Sequence, residues 1–145
     1  MDMIDQSILD CLKANGRATA SEIGRVVSLS VPAVSERIRK LEQSGVIEGY
    51  TVRINRHKTG HRLLAFVMVG IGRNEYTEGF KTAVVKFEEV LECHHIAGEY
   101  DYLLKTCTED TQALDSFLSN LKKIRGVSRT NTAIALSSLK EEVNR

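Results

Sequence analysis

Ser30-Val-Pro-Ala-Val-Ser-Glu-Arg-Ile-Arg-Lys-Leu-Glu-Gln-Ser-Gly45 is the stretch on which the reading of this chain turns. Val34, Ile38 and Leu41 recur at i, i+4 and i+7, the spacing that lines one face of an α-helix. Ser30 offers an N-cap oxygen, Pro32 sits in the first turn where its missing N–H costs nothing, and Gly45 stops the run. At about 100° per residue the outer face carries Pro32, Ser35, Glu36, Arg39, Lys40 and Gln43. Arg37 falls at the edge of the core face, where a structural ion pair and a phosphate contact are equally open to it.

Just upstream, Thr19-Ala-Ser-Glu22 has the form of a capping box, opening a helix to about Val27 with Ile23, Val26 and Val27 inward. Gly24 is small enough for the next helix to cross closely, and Ser28-Leu-Ser30 makes the turn. Before that, Ile4, Ile8, Leu9 and Leu12 mark a helix over residues 2–14, halted by Asn15-Gly16. Three short helices with a tight turn before the last read as a helix-turn-helix. Its third helix is expected in the major groove, with Ser30, Val31, Pro32 and Ser35 nearest the bases and Arg37, Arg39 and Lys40 toward phosphates. Glu36 would repel phosphate, so its expected role is to read a cytosine amino group or to orient an arginine. The plainer reading is a trihelical bundle whose charged face is only solvated or serves protein contacts. Val46 to Ile54 reads as two short strands or one strand bent at Gly49, a wing that brings Arg53 to the backbone of double-stranded DNA.

Past the polar, basic stretch 55–62, taken as a linker, the texture changes. Leu63 to Ile71 is an almost unbroken apolar run, suited to a strand covered on both faces. A helix follows from Asn74 through Phe87, with Phe80, Val84 and Phe87 inward. Strands are expected over Val90–Ala97 and Tyr102–Thr108, a helix from Asp110 to about Ile124, and a last strand over Val127–Ser137. The order β-α-β-β-α-β is that of a ferredoxin-like domain. The chain is therefore expected to be α+β. Residues 1–54 form a winged helix-turn-helix, 63–138 a ferredoxin-like βαββαβ domain, and 139–145 a polar tail. Helices on one sheet face leave the other open, and pairing of two such faces predicts a homodimer.

The net charge of +1 hides an asymmetry. Residues 1–62 hold ten Lys and Arg against seven Asp and Glu, net +3, and residues 63–145 hold ten against twelve, net −2. Phosphate binding belongs with the first part, and weakly enough that several copies must act together. No apolar run approaches the roughly 20 residues of a membrane span, and no signal peptide is visible. Three widely spaced cysteines argue against a disulfide framework and for a reduced, cytoplasmic setting.

Gly16-Arg-Ala-Thr-Ala-Ser-Glu-Ile-Gly, Leu29-Ser-Val-Pro-Ala-Val-Ser-Glu-Arg-Ile-Arg-Lys-Leu-Glu, Ser44-Gly-Val-Ile-Glu-Gly-Tyr and Gly98-Glu-Tyr-Asp-Tyr-Leu-Leu-Lys together resemble the Lrp/AsnC, or feast/famine, regulators. The resemblance spans nearly the whole chain in order. It implies a C-terminal sensor for an amino acid or related metabolite, and dimers that assemble further to tetramers or octamers. It also places the effector against the turn of Gly98, Tyr100, Asp101 and Tyr102. Asp101 would hold an ammonium group, backbone N–H groups of the turn or near Thr111 would hold a carboxylate, and Thr130, Thr132 and Ile134 would close the site. The plain reading of the same turn is a hairpin with Gly98 at positive φ and Asp101 bonding backbone amides. Glu99 stands where the family turn commonly has Asp.

Cys93-His-His95 invites a metal, but neighbours on a strand point to opposite faces, so only Cys93 and His95 share a side. No phosphate loop, nucleophile elbow or zinc-protease motif occurs, so no enzyme and no cofactor are expected beyond a suspected amino-acid effector. The expectation is a sequence-specific transcription regulator whose assembly or DNA binding answers to that effector. The rival is an architectural protein that bends or wraps DNA without one.

Overall fold

The computed structural model describes residues 1–144. They divide into two compact units, Met1–Arg53 with the residues from Glu142, and Ile54–Glu141.

In the first unit α1 (Met3–Ala14), α2 (Ala20–Val27) and α3 (Val31–Gln43) enclose one small apolar core. Each starts on a side-chain oxygen. Asp2 accepts from the Asp5 amide, Thr19 from Glu22, and Ser30 from Ala33; in the first two the third residue returns the bond, completing capping boxes. Ile8, Ile23, Val34 and Leu41 form the buried centre, with Ile38 packed at its edge. Val26 is the exception among the inward residues expected, at 67% exposure. The α2 helix is only eight residues long, so its last turn has little opposite it. Gly24 meets the chain more closely than expected: a Cβ there would lie 2.6 Å from the Leu29 carbonyl oxygen. The constraint therefore comes from the turn rather than from helix crossing.

The wing is not formed. Residues 46–54 carry no strand. Val46, Tyr50, Val52 and Ile54 are exposed, while Ile47 packs on the helical core and its amide donates to the Leu41 carbonyl. The residues suit a strand, but a strand needs a laddered neighbour, and none lies beside this segment among the described residues.

The second unit carries β1 (Leu63–Ile71), a 3₁₀ turn (Asn74–Tyr76) leading into α4 (Thr77–Val84), β2 (Val90–His95), β3 (Tyr102–Thr108), α5 (Thr111–Lys122) and β4 (Val127–Ile134). The sheet is antiparallel in the order β2-β3-β1-β4. Ala65, Val67 and Val69 of β1 and Tyr102 and Leu104 of β3 face Phe80, Val84, Leu114, Phe117 and Leu121 of the helices. This apolar layer is the core. The expected continuation of α4 to Phe87 is shortened to Val84, yet Phe87 still packs edge-on against Phe117, with ring centroids 5.4 Å apart. The outer strands also end early, β2 at His95 and β4 at Ile134.

Leu63–Ile71 is covered by helices on one face only. Phe66, on the other face, is 37% exposed, and Met68 and Leu103 beside it are half-buried. The expected linker is not bare chain either. Arg56 donates to the Arg62 carbonyl and the Ser138 hydroxyl and pairs with Glu141, all within the second unit.

Candidate functional site

Two places in the molecule carry functional side chains, one in each unit.

On α3 the exposed face presents Val31, Pro32, Ser35, Glu36, Arg39 and Lys40, as the periodicity requires. Ser30 is occupied as a cap, its hydroxyl 3.4 Å from the Ala33 amide. Arg39 grips Glu36 with both Nε (2.8 Å) and Nη2 (2.6 Å), and Lys40 stands 3.8 Å from the same carboxylate. The guanidinium of Arg39, with Lys40 adding its field, holds the Glu36 carboxyl below its ordinary pKa. Glu36 therefore fixes one cation in a planar, bidentate geometry instead of simply opposing phosphate.

Arg37, two residues earlier, turns the other way. Its Nη1 lies 2.8 Å from Asp2 and 2.7 Å from Asp5, so it ties α3 to the start of α1. The Asp5 amide and then Arg37 bring Asp2 down to about 2, and the Asp2 amide and Arg37 lower Asp5 too. Of the two openings the sequence left for Arg37, the ion pair is the one occupied. Arg53 lies 3.6 Å from Glu142 within the same unit.

In the second unit the eight residues expected around an effector do not form one cluster within the chain. Tyr102 and Thr130 both stand level with Val69, toward one end of the sheet. Thr132 is level with Val67 and Ile134 with Ala65, so they step toward the other end. Thr111 follows β3 and opens α5 at that far end. The seven-residue β3 separates it from Asp101 by roughly 20 Å at the ordinary rise per residue. Thr111 therefore supplies no amide to an Asp101-bound ligand in the same chain.

The turn itself is as expected and more firmly held. Gly98 takes φ +149°, and Asp101 Oδ2 accepts from the Ile71 amide at 2.7 Å. Arg129, on β4, crosses Gly70, where a Cβ would meet its Cγ at 2.8 Å. Its guanidinium lies 4.3 Å from the centroid of the Tyr100 ring, and it donates to the Glu99 carbonyl. Tyr100 thus faces Arg129, whereas Asp101 and Tyr102 face the opposite side of the turn.

There they line a cavity of about 340 Å³ with Ile71, Asn74, Thr77, Glu78 and His95. Tyr102 packs between Phe80 (4.8 Å) and His95 (5.1 Å), and its buried hydroxyl has no partner among the described residues. Sequence reasoning missed the other five lining residues. The signal was in the topology: antiparallel pairing of β1 with β3 brings the exit of β1, and the helix start that follows it, beside the β2–β3 turn.

His95 and Cys93 share a face, while His94 lies on the other and contacts Glu92 at 3.0 Å. No group of three or more His, Cys, Asp or Glu able to hold a metal ion occurs among the described residues. Burial pushes the Cys93 and Cys107 thiols up, which keeps them protonated.

Two family models match this chain, an AsnC-type helix-turn-helix domain over residues 1–42 and an Lrp/AsnC ligand binding domain over residues 64–144. The chain is 39% identical over 144 residues to the leucine-responsive regulatory protein of Escherichia coli, covering 97% of this chain and 88% of that one. Its structure resembles a transcriptional regulator of Neisseria meningitidis in complex with L-methionine, with a TM-score of 0.94 and 31% identity over 99% of this chain and 94% of that chain. It also resembles the feast or famine regulatory protein of M. tuberculosis complexed with L-methionine, with a TM-score of 0.93 and 35% identity over 99% and 97% of the two chains.

Proposed function

The chain belongs to the Lrp/AsnC family of transcription regulators, with a DNA-binding helix-turn-helix and a ligand-binding domain, and on that premise we propose how its own residues divide the work. It is a regulator and not an enzyme. Helix α3 enters the major groove of double-stranded DNA. Val31, Pro32 and Ser35 lie against base edges from its first turns, Arg39 is aimed by Glu36, and Lys40 and Arg53 meet phosphates. Arg37 is a fastener between helices and touches no DNA. The contrast between these two arginines, one clamped to α1 and one presented on the outer face, is the observation that carries this assignment.

The second unit senses an amino acid at the sheet end that holds Asp101 and Tyr102. That the N. meningitidis and M. tuberculosis structures hold L-methionine supports this class of effector. Phe66, Met68 and Leu103 on the open sheet face pair two copies, and the dimers assemble further to tetramers or octamers in the cytoplasm. Because each reader is weakly basic, avidity supplies the affinity. The effector changes DNA binding by as much as its own affinity differs between assembly states.

Binding to the chain's own upstream DNA, measured against random DNA of equal length, tests the reading. A marked preference is expected, falling about tenfold on Arg39→Ala, the scale of a lost bidentate contact, with the melting temperature unchanged. A ratio near one with wild-type protein overturns sequence-specific regulation and leaves the architectural role.

A further inference from the structure

We propose that the cavity beside Asp101 selects an amino acid whose side chain carries nitrogen donors, an amide, imidazole, amine or guanidine, over an aliphatic one. The inference rests on the sensor reading above and specifies its ligand.

The lining decides the class. Of the seven lining residues only Ile71 lacks a hydrogen-bonding side chain. Asp101 and Glu78 are acceptors when ionised, the Tyr102 hydroxyl and a neutral His95 can each accept, and Asn74 can do both. Asp101 commits Oδ2 to the Ile71 amide, which leaves its second oxygen for a ligand. Glu78 is met by Lys81 at 2.9 Å, so the two carboxylates face one nearby lysine and the surroundings remain acidic in balance. A ligand with a side-chain carboxylate would be repelled there. An aliphatic side chain would strip water from polar groups and give nothing back, whereas a donor-bearing one replaces that water.

The buried Tyr102 hydroxyl points the same way. At 4% exposure the residue is held by its ring between Phe80 and His95, and its oxygen is unpaired. Buried hydroxyls in native proteins are almost always paired, so an unpaired one beside a cavity asks for a donor or acceptor from outside the chain. The volume, about 340 Å³, is at the small end of ligand sites and suits a molecule of amino-acid size.

Calorimetric titration of the full chain with L-asparagine, L-glutamine, L-histidine, L-lysine and L-arginine, against L-leucine and L-methionine, reads the outcome. At least one nitrogen-bearing ligand should bind about tenfold more tightly than leucine and methionine. Tyr102→Phe keeps the ring stacking and should cut that preference roughly threefold, and Asn74→Ala, an exposed change, should reduce it as well. Tighter binding of leucine or methionine overturns the ligand class and leaves the sensor reading standing. If none of these amino acids binds, both fall. A preference that survives undiminished in both variants overturns the assignment to this cavity.

Discussion

In the first unit α1, α2 and α3 each begin on a side-chain oxygen that caps a backbone amide, from Asp2, Thr19 and Ser30. In the second, the 3₁₀ turn and α4 begin on Arg73 and Tyr76 with no side-chain cap at either. What holds α4 is Phe80 and Val84, both fully buried among strands far away in sequence. The two units thus place their helices by different means. In one the start of each helix is written in the four residues that begin it. In the other a helix ends where its contact with the sheet ends. The same division separates the functional regions, since the α3 face follows from one helix and its cap, while the cavity follows from pairing between distant strands.

The largest test of this contrast is Phe80→Ala. Removing a fully buried phenyl ring that lies against Tyr102 should cost about 3–5 kcal/mol, and α4 should detach with it. Denaturation followed by residue-resolved NMR should show the second unit losing stability while amides of α1 to α3 keep theirs. Equal losses in both units would erase the distinction.

A smaller change probes the other side. Thr19→Ala removes the cap oxygen of α2 and leaves the Glu22 carboxylate without its reciprocal bond. A cost of about 1 kcal/mol is expected, read as faster amide exchange through the first turn of α2, with the second unit untouched. An α2 helix indifferent to this change would be held by packing, as α4 is.

This contrast also explains how much was legible in advance. Caps, periodicity and turn residues are short-range signals, so α1 to α3, their boundaries and the outer face of α3 could be read from the chain. The six-element order of the second domain was legible for the same reason. The ends of α4, β2 and β4 were not, because the residues beyond them are apolar enough to continue but lose their partners. The wing failed likewise: β-branched residues at 46–54 announce a strand only where another strand lies alongside. Asp101 and Tyr102 could be singled out from their turn. Asn74, Thr77, Glu78 and His95 acquire meaning only when β1 and β3 pair. Arg129 lies across Gly70 and onto Tyr100, a contact between residues 29 positions apart that no local pattern announces.

The smallest expected effect concerns acid, and it separates Arg37 from Arg39. Asp2 is brought down to about 2 in the folded protein, first by the amide of Asp5 and then by Arg37, against roughly 3.9 for an unperturbed aspartate. A carboxyl lowered on folding contributes stability that is fully present above its unfolded value and is lost as pH falls through the folded one. The junction of α1 with α3 should therefore weaken between about pH 4 and pH 2, as protonation releases the cap and the clamp together. Both groups reach solvent, so the loss should be modest and should shrink at high salt. Glu36 titrates in the same direction, but its partners Arg39 and Lys40 lie on its own helix, so its protonation frees two cations without parting α1 from α3. NMR shifts of Ile8 and Val34, buried beneath that junction, should follow acidification. Asp2→Asn keeps an oxygen for the cap but removes the charge, so the response should narrow to that of Asp5. If Ile8 and Val34 respond identically in the two proteins, Asp2 adds nothing to the clamp. Arg37 would then hold α1 through Asp5 alone.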